Sequence, residues 1–124
     1  MTETLATGTL TRVEFDFAVS LTVDDGTQLR LGGVGELSQG ETSMPFDAED
    51  SSGHAARLVQ LLQGPIVVEV DGSVLTVRLA DDASTVVTMP ASEEFEAWQV
   101  RGADGSLTVC MPGGELAVWP AETS

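Results

Sequence analysis

From Val13 onward every second residue is apolar, running through Phe15, Phe17, Val19, Leu21 and Val23, with Arg12, Glu14, Asp16, Ser20 and Thr22 between them. Side chains alternate across a β-strand, so this spacing predicts a strand with one face buried. Asp24-Asp25-Gly26 interrupts the pattern, and Leu29 and Leu31 resume it. A three-residue loop sets Leu21 opposite Leu29 and Val19 opposite Leu31, whereas a two-residue loop would set Leu21 against Arg30. Facing residues share a side of the sheet, so the three-residue loop is predicted, with Gly26 in the left-handed conformation.

The same parity test applies along the rest of the chain. A two-residue Asp71-Gly72 turn pairs Val68 with Leu75 and Ile66 with Val77, keeping the apolar residues on one face. A three-residue Asp81-Asp82-Ala83 loop pairs Val77 with Val87 and Leu75 with Met89. It echoes Asp24-Asp25-Gly26 as a weak internal repeat, although alanine at positive φ costs about 1 kcal/mol more than glycine. The last third reads as a meander over residues 95–100, 107–111 and 116–119, turning at Gly102-Ala103-Asp104-Gly105 and after Pro112. With Gly113-Gly114 as the second loop, Met111 faces Leu116 and Val109 faces Val118. The other face of this hairpin then carries Cys110, Ala117 and Trp119, so the hairpin is either central or exposes an apolar patch.

One helix is predicted. Ser51-Ser52 offer an N-cap, Ala55, Leu58, Leu61 and Leu62 recur at helical spacing, and Gly64-Pro65 form a stop. Residues 32–50 hold four glycines among polar residues and read as a long loop. The expected fold is therefore mainly β (α+β), an antiparallel β-hairpin meander of about eight strands with one short helix packed on the sheet. At 124 residues the chain forms a single domain, 1–124, with 1–8 and 120–124 as flexible ends.

The net charge is −15, with 20 acidic residues against five arginines and no lysine. Nucleic acid and anionic membrane are disfavoured as partners, because scattered arginines flanked by carboxylates make no basic patch. Solubility explains the charge simply, and steering toward a basic protein is the sharper alternative. Cys110 is the only cysteine, so no internal disulfide forms. With no signal-like segment at the N-terminus, a cytoplasmic location is expected.

Motifs for chemistry are weak. Gly32-Gly33-Val34-Gly35-Glu36 lacks the glycine spacing of a dinucleotide loop and the Lys-Ser/Thr of a nucleotide loop. Carboxylates at Asp47/Glu49/Asp50, Asp81/Asp82 and Glu93/Glu94/Glu96 form no calcium-loop pattern. His54 and Cys110 are too few to close a zinc site, and Cys110 between Val109 and Met111 reads as a small buried hydrophobe. A serine nucleophile has no Gly-x-Ser-x-Gly elbow, and a paired-carboxylate hydrolase has no pointer among the many acids. No catalytic, cofactor-binding or metal residue is assigned.

Trp98 falls in register with the apolar side of its strand and is expected in the core. Trp119, near the chain end, is the expected contact anchor, with Ala117, Cys110 and Glu115 beside it. The stretch from Glu96-Ala97-Trp98-Gln99-Val100-Arg101 through Val109-Cys110-Met111-Pro112-Gly113-Gly114-Glu115-Leu116-Ala117-Val118-Trp119 resembles a family of small actinobacterial proteins of unknown function. Those proteins also end on a PGGELAVW-like hairpin. The resemblance implies this β fold and a bacterial cytoplasmic setting, and it implies no activity.

The functional expectation is a non-enzymatic, acidic protein-interaction module, of the kind that includes toxin-neutralising and regulatory domains by analogy. The expected partner is another protein, a basic one by charge, docking on the C-terminal hairpin or on the long loop at residues 32–50, or else a second copy of the chain on the hairpin. The alternative is a domain binding a small molecule or divalent cation, or a carboxylate-dependent hydrolase, using acids of residues 32–50.

Overall fold

A computed structural model describes residues 2–15, 18–47, 64–81 and 85–120. Among them are eleven strands and no helix: β1 Thr2–Phe15, β2 Val19–Val23, β3 Gln28–Leu31, β4 Val34–Gln39, β5 Thr42–Asp47, β6 Pro65–Asp71, β7 Val74–Leu79, β8 Thr85–Met89, β9 Trp98–Arg101, β10 Leu107–Cys110 and β11 Leu116–Trp119. All pair antiparallel in the order β11-β10-β9-β3-β2-β1-β6-β7-β8-β4-β5.

The long first strand joins two halves of this sheet. Residues 2–9 pair with β6 and residues 10–15 pair with β2, with register irregularities after Thr4 and after Leu10. Such bulges bend a strand and increase its local twist. The two halves bury their inner faces in one shared core: Val19, Leu21, Leu29, Leu31 and Trp98 from one side, Ile66, Val68, Leu75, Val77, Val87 and Met89 from the other. Trp98 Nε1 donates a 3.0 Å hydrogen bond to the Ser73 carbonyl in the β6–β7 turn, tying the halves together. Two sheet layers around one core are the usual way to bury half-apolar strands.

Two hairpins have the register that parity predicts. Val19 faces Leu31 and Leu21 faces Leu29, with Gly26 at φ +98°. The Asp25 carboxylate accepts a 2.8 Å hydrogen bond from the Thr27 N–H and closes that turn. Likewise, Val77 faces Val87 and Leu75 faces Met89.

Several expectations are corrected. The described residues form eleven strands rather than the expected eight or so. The expected single strand over residues 13–23 is a hairpin, with Val13 opposite Leu21 and Phe15 opposite Val19. Three residues separate Phe15 from Val19, and an odd-numbered loop preserves the alternation across a turn, so periodicity alone cannot see it. The expected long loop at 32–50 is mostly the β4–β5 hairpin, turning at Gly40-Glu41 with Gly40 at φ +62°. Its first strand, β4, carries little apolar signal, since Gly35 and Gln39 alternate in phase with Leu37. Around Gly72 the loop is Gly72-Ser73, because Asp71 faces Val74; this two-residue shift leaves every side chain on its predicted face. The expected helix at 51–62 lies outside the described residues. Residues 2–8, expected as a loose end, form the first part of β1.

Candidate functional site: the outer face and free edge at the C-terminal end of the sheet

At the β10–β11 turn the predicted register is off by one. Pro112, Gly113 and Gly114 all lie in the loop, the Met111 N–H donates to the Glu115 carbonyl at 2.8 Å, and Cys110 faces Leu116. Gly113 and Gly114 both take positive φ, +88° and +94°, which an L-residue rarely adopts. A one-residue slip exchanges the faces. Cys110 therefore lies on the core side with Leu116, while Ala117 and Trp119 face outward opposite Val109 and Leu107.

Of the expected contact residues, Trp119 is 52% exposed, Glu115 is exposed and Ala117 is half-buried. Cys110 is corrected: it is fully buried, and its thiol points at the Ser73 carbonyl at 3.7 Å. Burial pushes this thiol above its ordinary value of 9.0. A thiol that is neutral and covered is a poor nucleophile. Cys110 is thus expected to resist iodoacetamide in the native protein and to react once urea unfolds it, as mass spectrometry would show; rapid native labelling would contradict its burial.

The sequence reading missed Val118, which is 64% exposed. It stands on β11, which among the described residues has a neighbouring strand on one side only. An edge strand presents unpaired backbone N–H and C=O groups. The opposite edge, β5, contains Pro45, which lacks an N–H. No comparable device interrupts β11, and Pro120 follows it.

Inward from that edge, two rungs run across the outer face. Trp119 faces Leu107, Leu107 faces Arg101, and Arg101 faces Gln28; Ala117 faces Val109, Val109 faces Gln99, and Gln99 faces Arg30. The sequence carries a signal for this pattern in the matching tripeptides Gln28-Leu29-Arg30 and Gln99-Val100-Arg101. Antiparallel pairing sets each glutamine opposite the other strand's arginine. On β1, one strand beyond β2, Arg12 Nε lies 3.0 Å from Glu14 Oε1.

The remaining candidates for chemistry do not converge. Among the described residues no group of three or more His, Cys, Asp or Glu is placed to hold a metal ion. His54, Glu49, Asp50 and Asp82 lie outside the described residues. Asp104, in the β9–β10 turn, accepts hydrogen bonds from the Ser106 hydroxyl and from its backbone N–H at 2.9 Å, which lower its carboxyl below the ordinary 3.8. A depressed folded value means that the carboxylate's support for the turn is present above 3.8 and fades as pH falls through the lower folded value. A carbon-detected NMR titration is expected to place the Asp104 midpoint below 3.8, and Ser106→Ala to raise it; an unchanged midpoint in that variant would exclude the serine hydroxyl as the cause.

Over residues 1–120 the chain matches the model of a family of unknown function, DUF6188, and it belongs to that family. No curated protein and no solved structure matches it.

Proposed function

Starting from membership in a family without an assigned activity, we propose that this domain is a non-enzymatic protein-interaction module whose contact surface is the free edge strand β11. The observation that carries this reading is the exposure of Val118 and Trp119, on opposite faces of a strand that is an edge, with no blocking device, among the described residues. An extended segment of a partner adds to such an edge by main-chain hydrogen bonds, and flanking side chains supply selectivity. Trp119 and Leu107 offer an apolar contact on one face, and Val118 offers one on the other. The net charge of −15 favours a partner segment bordered by positive charge and speeds its encounter.

Trp119→Ala is expected to weaken complex formation by about 2 kcal/mol, as truncation of an aromatic anchor does, with a thermal midpoint close to that of the parent. Val118→Lys places a charge on the edge and is expected to act in the same direction. Calorimetry of both variants separates binding from folding. A lowered midpoint for Trp119→Ala would place this residue in the core instead. Sedimentation equilibrium distinguishes a second copy of the chain from a different partner.

A further inference from the structure

Arg30 and Arg101 are exposed, and neither has an ion-pair partner among the described residues. This is unexpected in a chain where 20 acids outnumber five arginines. Arg78 pairs with Glu69 at 2.6 Å and Arg12 with Glu14, yet the two unpaired guanidinium groups are on adjacent strands of one face. They occupy diagonal positions, with Gln28 and Gln99 on the crossing diagonal. Diagonal neighbours in an antiparallel pair lie roughly 7–8 Å apart at Cα, within reach of one ligand for side chains as long as arginine.

An open cleft of about 180 Å³ lies over this quartet, bordered also by Ser20 and Thr22 from the next strand. Glu14 borders it as well, with its charge offset by Arg12. Two like charges held side by side repel, and a shared anion removes that repulsion. Guanidinium groups bind oxyanions through paired N–H donors, while the glutamine amides and the two hydroxyls add neutral donors.

We propose that the Arg30/Arg101/Gln28/Gln99 quartet is a binding site for a small multivalent oxyanion, carrying carboxylate or phosphate groups that bridge the two guanidinium groups. The site is on β9 and β3, two and three strands in from the β11 edge, and does not depend on the protein-interaction reading. The approximate two-fold arrangement of the quartet favours a ligand with anionic groups at both ends over a monoanion.

The test is a titration of the ¹⁵N-labelled full chain with citrate, inorganic phosphate and acetate, each against sodium chloride of matched ionic strength. Saturable shifts are expected at the Arg30 and Arg101 Nε–H and the Gln28 and Gln99 side-chain amides, with citrate or phosphate binding more tightly than acetate. Stronger binding by citrate would identify a carboxylate ligand, and stronger binding by phosphate a phosphate ligand. Arg30→Gln and Arg101→Gln are each expected to weaken binding roughly tenfold or more, because each removes a charge-assisted pair. Both positions are exposed, so the thermal midpoint stays near that of the parent. Shifts that do not saturate, that match those from chloride, or that persist in the double variant would overturn the proposal.

Discussion

Replacing Trp98 with alanine is expected to cost about 3–5 kcal/mol, the range for deleting a large buried aromatic side chain. Trp98 is 1% exposed and stands on β9 against Leu31 of β3 and Cys110 of β10. Its indole N–H is satisfied by the Ser73 carbonyl of the other half of the sheet. Removal therefore opens a cavity between the two halves and cuts a hydrogen bond joining them. Domains of this size have a total stability of about 5–15 kcal/mol, so much of it would be lost. Urea unfolding at 25 °C measures the effect. Trp98→Phe retains most of the apolar volume but leaves the Ser73 carbonyl without its indole donor, and about 1–3 kcal/mol is expected there. A Trp98→Ala protein within about 1 kcal/mol of the parent would contradict a shared core closed by this side chain.

The second large effect is expected at Gly35. A Cβ built there would overlap the Thr88 carbonyl oxygen and approach Met89 Sδ to 2.7 Å. The backbone oxygen cannot swing aside as a side chain would, so Gly35→Ala must push β4 away from β8. Their ladder, Glu36 to Thr88 through Gln39 to Thr85, is what holds the β4–β5 hairpin to the sheet. A loss of about 1–3 kcal/mol or more is expected, as for overpacking in a well-filled core. Gly33→Ala meets the Ala97 Cβ at 3.3 Å, a contact that a small shift relieves, and should cost much less. Equal effects at the two positions would contradict a steric role specific to Gly35. The contrast also explains why this glycine run resembles a phosphate loop without its chemistry: Gly35 serves close strand approach.

Much of the fold is legible in the residues wherever facing positions constrain one another. The β2–β3 and β7–β8 registers follow from Leu21, Leu29, Val77 and Val87 alone, because only one loop length keeps them on a common face. Parity is blind to errors of two residues, as at Gly72-Ser73, and to odd-numbered loops, as between Phe15 and Val19. It also fails where both faces are apolar. In β10 and β11 either register pairs hydrophobic residues, so Leu116, Ala117 and Val118 could not report the slip that sends Cys110 inward, away from the outer face that Ala117 and Trp119 keep.

The candidate site was legible only in part. Trp119 announces itself as a large apolar residue beside Pro120 near the chain end. The arginine quartet does not, because Gln28-Leu29-Arg30 and Gln99-Val100-Arg101 are far apart in sequence and each reads as an ordinary solvated strand face. Only the β3–β9 pairing superimposes them. The overall acidic balance pointed away from any local positive site, since net charge averages over faces that the fold separates.

The most direct measurement of an interface at β11 is a paired affinity capture from a lysate of the cells that encode this chain. The parent and the Trp119→Ala variant would be tagged alike, matched in thermal midpoint, and their co-eluting proteins quantified by mass spectrometry at low and moderate salt. An interface at this edge predicts one stoichiometric protein that the parent retains and the variant loses, with retention falling as salt rises. The same protein held equally by both, or none held by the parent, would contradict it.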